Sequence, residues 1–278
     1  MRVGRIPYIN CYPVYGAIDR KVVSLDAELV DGVPSALNNA MAAGGLDVSV
    51  ISAVEYARDA ARYLLLPDLA ISCDGPVRSV MLFSRRPAGS LGHARVLVSR
   101  SSMTSVALLQ LMFEQVWRSA PTFVPADAEI ADLARSGAER HDARLIIGDA
   151  ALLLTSGTSA LAADYPYVYD LGAVWKEWTG LPFVFAVWVA QRTTPVAGAL
   201  AIHAQLIQSR DWGLAHLDQL AAQAAVATGV ARAKALEYLS GLDYGLRYEH
   251  LAGLTTFFGK LAASGRVPNG SLAFLPAA

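Results

Sequence analysis

Two cysteines in 278 residues, Cys11 and Cys73, are too few for a disulfide framework, and neither stands in a C-x-x-C pair. The histidines are as sparse. His93, His141, His203, His216 and His250 lie far apart, so no metal-ligand spacing occurs, and each reads first as a surface or cap residue. No metal and no organic cofactor is expected. Charged residues make up only 17% of the chain, the formal net charge is −1, and the 23 Lys and Arg form no run. That composition excludes the electrostatic footprint of a nucleic-acid binder. The longest apolar run, "LPFVFAVWVA" from Leu181 to Ala190, is well short of the roughly 20 residues that cross a bilayer, so a membrane is not an expected partner either. The opening "MRVGRIPYINCYP" interrupts its apolar residues with Arg5, Pro7, Asn10 and Pro13 and forms no secretory h-region; cytoplasmic residence is the expectation. Also missing are a nucleophile elbow, a P-loop, a zinc-protease helix and a Rossmann fingerprint.

What the chain has is core material, with 54% hydrophobic residues arranged in alternating strand and helix patterns. "MRVGRI" and "SLDAELV" read as strands, and "VPSALNNAMAAGG" as a helix opened near Pro34 and stopped by Gly44. "LDVSVIS" follows as a buried strand and "AVEYARDAARY" as a helix. After "SVMLFSR" the rhythm restarts with strands "ARVLVS", "TFVP" and "ARLIIG", and with helices "TSVALLQLMFEQVW", "DAEIADLARSG" and "DAALLLTSG". Two βαβ series in one chain predict two α/β lobes. From Val196 to about Gly265 the sequence is Ala/Leu-rich and helical. The economical chain path crosses between lobes at Ser79–Arg86, returns at Phe183–Ala190, and brings the C-terminal helices back to the first lobe. The boundaries are then 1–84 plus 187–278 for lobe one and 85–186 for lobe two, with two crossings forming a hinge. A single doubly wound sheet with a helical appendage is the alternative.

In a two-lobed arrangement the cleft collects strand-to-helix junctions. Tyr8 and Asn10, Ser52, and the loop "SCDGPVRS" ending in Ser79 fall at such junctions in the first half. In the second half they are Gly148, Asp149 and the stretch "RSSMTSVALLQL". That stretch carries four hydroxyls, Ser101, Ser102, Thr104 and Ser105, where a helix N-cap needs one. Taken singly, each of these polar residues is a local cap. Together they make a neutral polar lining suited to a small carboxylate at a helix N-terminus. Read from residues alone, the chain is a two-lobed binder of a small anion, with an enzyme as the stronger version of the same reading.

A run of blocks narrows this. "GRIPYIN" (Gly4–Asn10), "GVPSALN" (Gly32–Asn38), "LDVSVISAVEYAR" (Leu46–Arg58), "YLLLPDLAISCDGPVRSV" (Tyr63–Val80), "SMTSVALL" (Ser102–Leu109), "IIGDAAL" (Ile146–Leu152) and "DLGAVWKEWTGLPFVFAVW" (Asp170–Trp188) resemble, in order, the chorismate dehydratase family of the futalosine route to menaquinone. The ending "YGLRYEHLAGLTTFFG" is similar to that family's too. The resemblance implies a type II periplasmic-binding-protein fold used as a cytoplasmic hydro-lyase. It implies chorismate as substrate, loss of water to give 3-[(1-carboxyvinyl)oxy]benzoate, and no cofactor. It places Asn10 and Ser79 at the reacting centre, with Tyr8, Ser52, Ser102, Thr104, Ser105, Gly148 and Asp149 around the substrate. The proton acceptor is either the substrate's own enolpyruvyl carboxylate or Asp149. A solute-binding or sensor protein for a small carboxylate stays open, as does the related 1,4-dihydroxy-6-naphthoate synthase, although that family's "SPCPNDT"-like opening differs from "RIPYIN".

Overall fold

The computed structural model describes residues 1–126, 140–155 and 164–276. The expected helix "DAEIADLARSG" and the last two residues of "DAALLLTSG" lie outside them. In the first lobe, β1 (Arg2–Arg5), β2 (Glu28–Asp31), β3 (Val48–Ser52) and β4 (Tyr63–Cys73) alternate with α1 (Tyr12–Asp19), α2 (Pro34–Ala42) and α3 (Ala53–Arg58). A short 3₁₀ turn, Ile9–Cys11, joins β1 to α1. The second lobe runs β5 (Val80–Ser84), β6 (Arg95–Ser99), α4 (Met103–Gln115), β7 (Thr122–Ala126), β8 (Ala143–Ile147), α5 (Gly148–Thr155), β9 (Tyr167–Asp170) and α6 (Leu171–Thr179). Then come β10 (Phe183–Gln191) and the helices α7 (Val196–Ala215), α8 (Leu217–Thr228), α9 (Arg232–Gly241) and α10 (Tyr248–Ala263).

The strands form two five-stranded sheets, ordered β2-β1-β3-β10-β4 and β7-β6-β8-β5-β9. β1, β2 and β3 pair in parallel, as do β6, β7 and β8. Into each set one strand is inserted antiparallel, β10 between β3 and β4, and β5 between β8 and β9. Both lobes therefore share one winding with the same inserted position. This pairing corrects the expected lobe boundaries. β5 belongs wholly to the second sheet and β10 wholly to the first, so the chain crosses at 74–79 and 180–182 rather than within these strands. Both are apolar runs buried along their whole length, as central strands covered on both faces are, and such a run carries no mark of which sheet it will join.

β4 is an eleven-residue strand that the alternating pattern does not announce, because Pro67 and Asp68 interrupt it. Its place at the sheet edge tolerates the proline. Against β10, Leu65 pairs with Val189 and Ala70 with Val187, so the residues between bulge outward, with Asp68 at φ 50°. The bulge is where the C-terminal helices dock: Arg210 of α7 donates to the Asp68 carbonyl and carboxylate, and a ring nitrogen of His203 contacts the Pro67 carbonyl at 2.8 Å. The segment after α9 extends the same edge, with Ser72 and Asp243 exchanging backbone hydrogen bonds at 2.9 Å. α7 packs on α1 in the first lobe as expected, but α10 touches α3, β10 and also α4 of the second lobe.

Most histidines have structural tasks. His141 bonds Tyr165, His216 the Trp212 carbonyl, and His250 completes the capping box of α10. Behind the opening strand the buried Trp188 indole donates to Tyr15 Oη at 3.0 Å, and Tyr15 donates to the Gly4 carbonyl at 3.1 Å. This chain ties β10, α1 and β1 into one unit. Tyr15→Phe should cost about 2 kcal/mol, because the indole N–H and the carbonyl lose their partner without gaining water. Urea unfolding followed by tryptophan fluorescence checks it.

Candidate active site

The two lobes meet at the carboxyl ends of their parallel strands, and the cleft between them is lined by Tyr8, Asn10, Ser52, Ser79, Ser102, Thr104, Ser105 and Gly148. Eight of the nine residues that the resemblance places around the substrate thus share one cavity. Its walls are otherwise apolar, with Ile71 and Phe185 among them, and no Lys or Arg occurs among the described residues lining it. Positive potential comes instead from backbone. The N-termini of α2, α3, α4 and α5 all open on the cleft, at Pro34, Ser52, Ser102 and Gly148.

Each wall is set by local bonds. Ser52 caps α3, its Oγ accepting from Glu55 N–H at 3.2 Å. Asn38 on α2, a residue the sequence reading passes over, grips Ser52 from both sides: it donates to Ser52 Oγ and accepts from Ser52 N–H, each at 3.1 Å. Ser102 caps α4, accepting from Ser105 N–H at 3.3 Å and donating to Ser105 Oγ at 2.7 Å. Of the four clustered hydroxyls, Ser101 turns away to bond Ser99 Oγ at 2.9 Å. Thr104 reaches across the cleft, its Oγ1 accepting from Val54 N–H at 3.2 Å. Gly148 has φ 63°, and a Cβ there would lie 3.3 Å from the Tyr8 ring, so glycine provides both the left-handed turn and the flush contact between lobes.

Asp149 stands apart from the other eight. It is not among the residues lining the cleft; its carboxylate accepts from Ile9 N–H at 3.3 Å, holding the turn that carries Asn10. Asn10 itself presents an orphan: its Oδ1 is buried and accepts no hydrogen bond among the described residues. A buried acceptor without a donor is costly, and a ligand hydroxyl would satisfy it. Cys11, next in the chain, is no nucleophile. Burial, with the Asp149 charge nearby, pushes its thiol far above the usual range. Among the described residues no three His, Cys, Asp or Glu converge as a metal site.

The loop bearing Ser79 is held by Asp170. One carboxylate oxygen accepts from Val77 N–H at 3.0 Å and from Ala173 N–H at 3.1 Å, and the other from Arg78 N–H at 2.6 Å. Asp170 is thus the N-cap of α6 and the clamp of the first crossing together. Arg78 needs that clamp, since it sits at φ 62°. Gly172 brings α6 against the same loop, where a Cβ would meet the Gly75 carbonyl oxygen at 2.5 Å. The sequence signal was present, an Asp directly before an apolar helix, but nothing in the pattern pointed it at a loop 92 residues earlier. Behind Ser79, Tyr238 of α9 donates to its Oγ at 2.9 Å. That tyrosine lies in Ala/Leu-rich helix and gives no local signal at all.

Two winding-equivalent lobes joined by two crossings, with a neutral, helix-capped cleft between them, define a periplasmic-binding-protein fold. Solved structures agree on the fold. A protein from Archaeoglobus fulgidus superposes with a TM-score of 0.76 at 21% identity, covering 96% of this chain and 98% of that one. The alkanesulfonate-binding protein SsuA from Xanthomonas axonopodis pv. citri, bound to MOPS, gives 0.69 at 12% identity, covering 97% and 94%. The chain belongs to a family described as menaquinone biosynthesis, whose profile matches residues 1–263. A curated chorismate dehydratase from Thermus thermophilus is 31% identical over 265 residues, 90% of this chain and 94% of that protein.

The clamp yields a direct expectation. Asp170→Ala should lower stability by about 2 kcal/mol, from the lost cap and the unpaired loop N–H groups. Denaturant titration measures this, and hydrogen exchange should show the loss of protection concentrated at Val77 and Arg78.

Proposed function

We propose that this chain is a cytoplasmic chorismate dehydratase, a hydro-lyase converting chorismate to 3-[(1-carboxyvinyl)oxy]benzoate and water. The observation that carries the reading is the meeting of Asn10, with its orphan Oδ1, and Ser79 in one cleft facing the capped N-terminus of α4. The similarity to a curated chorismate dehydratase across 90% of the chain supports it.

Chorismate is acidic at the ring carbon that carries the enolpyruvyl ether, because the ring double bond conjugates that carbon to the ring carboxylate. Removing this proton moves charge onto the carboxylate. Departure of the neighbouring hydroxyl then leaves an aromatic ring, and proton and hydroxide leave together as water. The protein's task is to hold the growing oxyanion and align the breaking bonds. Ser105 and Thr104, with the N-terminus of α4, are the donors for the ring carboxylate, while Ser102 gives its own proton to Ser105 Oγ, and one well-placed donor of this kind is commonly worth about 3 kcal/mol. The orphan Asn10 Oδ1 accepts from the leaving hydroxyl's O–H before it departs, and Ser79 donates to a substrate oxygen. The base is the substrate's enolpyruvyl carboxylate. Asp149 is occupied in supporting the turn at Ile9 and does not line the cleft. The lobes move as two bodies about the crossings at 74–79 and 180–182, and the Thr104 to Val54 bond helps to hold them closed.

Purified protein incubated with chorismate should form an aromatic product 18 mass units lighter, the mass of one water, without added metal and in the presence of chelator. Binding of chorismate without conversion would favour a solute-binding protein instead. Asn10→Ala and Ser79→Ala should each reduce kcat by about two orders of magnitude or more with a smaller change in KM. Thr104→Ala should raise KM and lower kcat together, since the carboxylate is bound in the ground state and more charged in the transition state. Asp149→Asn keeps an oxygen for Ile9 N–H while removing the base. Retained turnover is expected there, and abolished turnover with loss of a limb in the pH–rate profile would make Asp149 the base.

A further inference from the structure

Ser79 and Tyr238 are far apart in the chain and touch behind the cleft, with 3% and 1% of their surfaces exposed. A serine hydroxyl owns one proton and two acceptor sites. The phenol has one proton too, and neither hydroxyl has another hydrogen-bond partner among the described residues. If Ser79 donated backward, the phenol proton would be buried with no acceptor, the costly arrangement. If Tyr238 donates forward, the Ser79 proton is left for an acceptor in the cleft, which the cavity provides once a ligand is bound. The helix is held in register for this contact. Glu237 of α9 pairs with Arg78 at 3.2 Å, and Gly241 leaves room for the same guanidinium. Burial raises the Tyr238 phenol far above its ordinary range, which favours the protonated, donating form.

We propose that Tyr238 is a positioning residue: by filling one acceptor site of Ser79 Oγ from behind, it aims the serine proton into the cleft at an oxygen of the substrate. The proposal rests on the reading of the chain as a chorismate dehydratase, for which Ser79 is the residue in contact. Tyr238→Phe keeps the ring and removes the donor. It should lower kcat on chorismate about tenfold, the loss of one oriented hydrogen bond, with KM changed less than about twofold. In a Ser79→Ala background the same substitution should do nothing further. A second measurement does not depend on turnover. The tyrosine ring doublet in resonance Raman, taken as the difference between wild type and Tyr238→Phe, should show a hydrogen-bond donor, and that signature should vanish when Ser79 is Ala. An acceptor signature, or one indifferent to Ser79, overturns the proposal. So does an unchanged kcat, or an equal loss in both backgrounds, which would make Tyr238 a packing residue. A wild-type protein inert toward chorismate would sink the functional reading, while the Raman difference would still decide which hydroxyl donates.

Discussion

The structure turns on one carboxylate. Asp170 spends its two oxygens on three backbone N–H groups, one at the start of its own helix and two in the loop that carries the chain from the first lobe to the second. A crossing loop that must hold Arg78 at positive φ and deliver Ser79 into the cleft has no sheet of its own to hold it. Asp170 supplies the missing partners at the end of β9, which pairs with β5, so the loop is fixed to the strand it leads into. From behind, α9 presses Glu237 and Tyr238 onto the two residues that finish the loop. The serine is therefore positioned by a lobe-two aspartate and a lobe-one tyrosine at once.

On the proposed reading the cleft is an anion site with no formal positive charge among the described residues that line it. Four helices begin on it, and Ser52 and Ser102 cap two of them by each accepting from one backbone N–H, while the positive ends of the helices stay directed inward. Neutral donors suit a reaction in which charge moves from one atom to another on a single substrate. A lysine or arginine would bind the ground state tightly and leave less to gain in the transition state. The same economy explains Asp149, a charged residue drawn into holding the turn beneath Asn10.

Local chemistry made much of this legible from the chain. The alternation of strand and helix, the Pro34 helix start and the polar residues at junctions follow from short-range periodicity and capping, which depend on neighbours within a few residues. Eight of nine expected site residues line one cavity for that reason: in parallel α/β winding, strand ends and helix starts necessarily gather on the same side.

Tertiary structure alone decided the rest. Whether β5 and β10 stay with their neighbours in sequence or insert into the opposite sheet depends on long-range pairing between apolar strands that look alike. The bulge at Pro67 and Asp68 becomes a docking point only when α7 arrives with Arg210. Ser101 carries the same hydroxyl as Ser102 yet turns to Ser99, because the turn before α4 directs its side chain there. Tyr238, Asn38 and Asp170 act on partners 159, 14 and 92 residues away, and a side chain's hydrogen-bond partner across such distances is set by how helices pack on sheets, which no local pattern encodes.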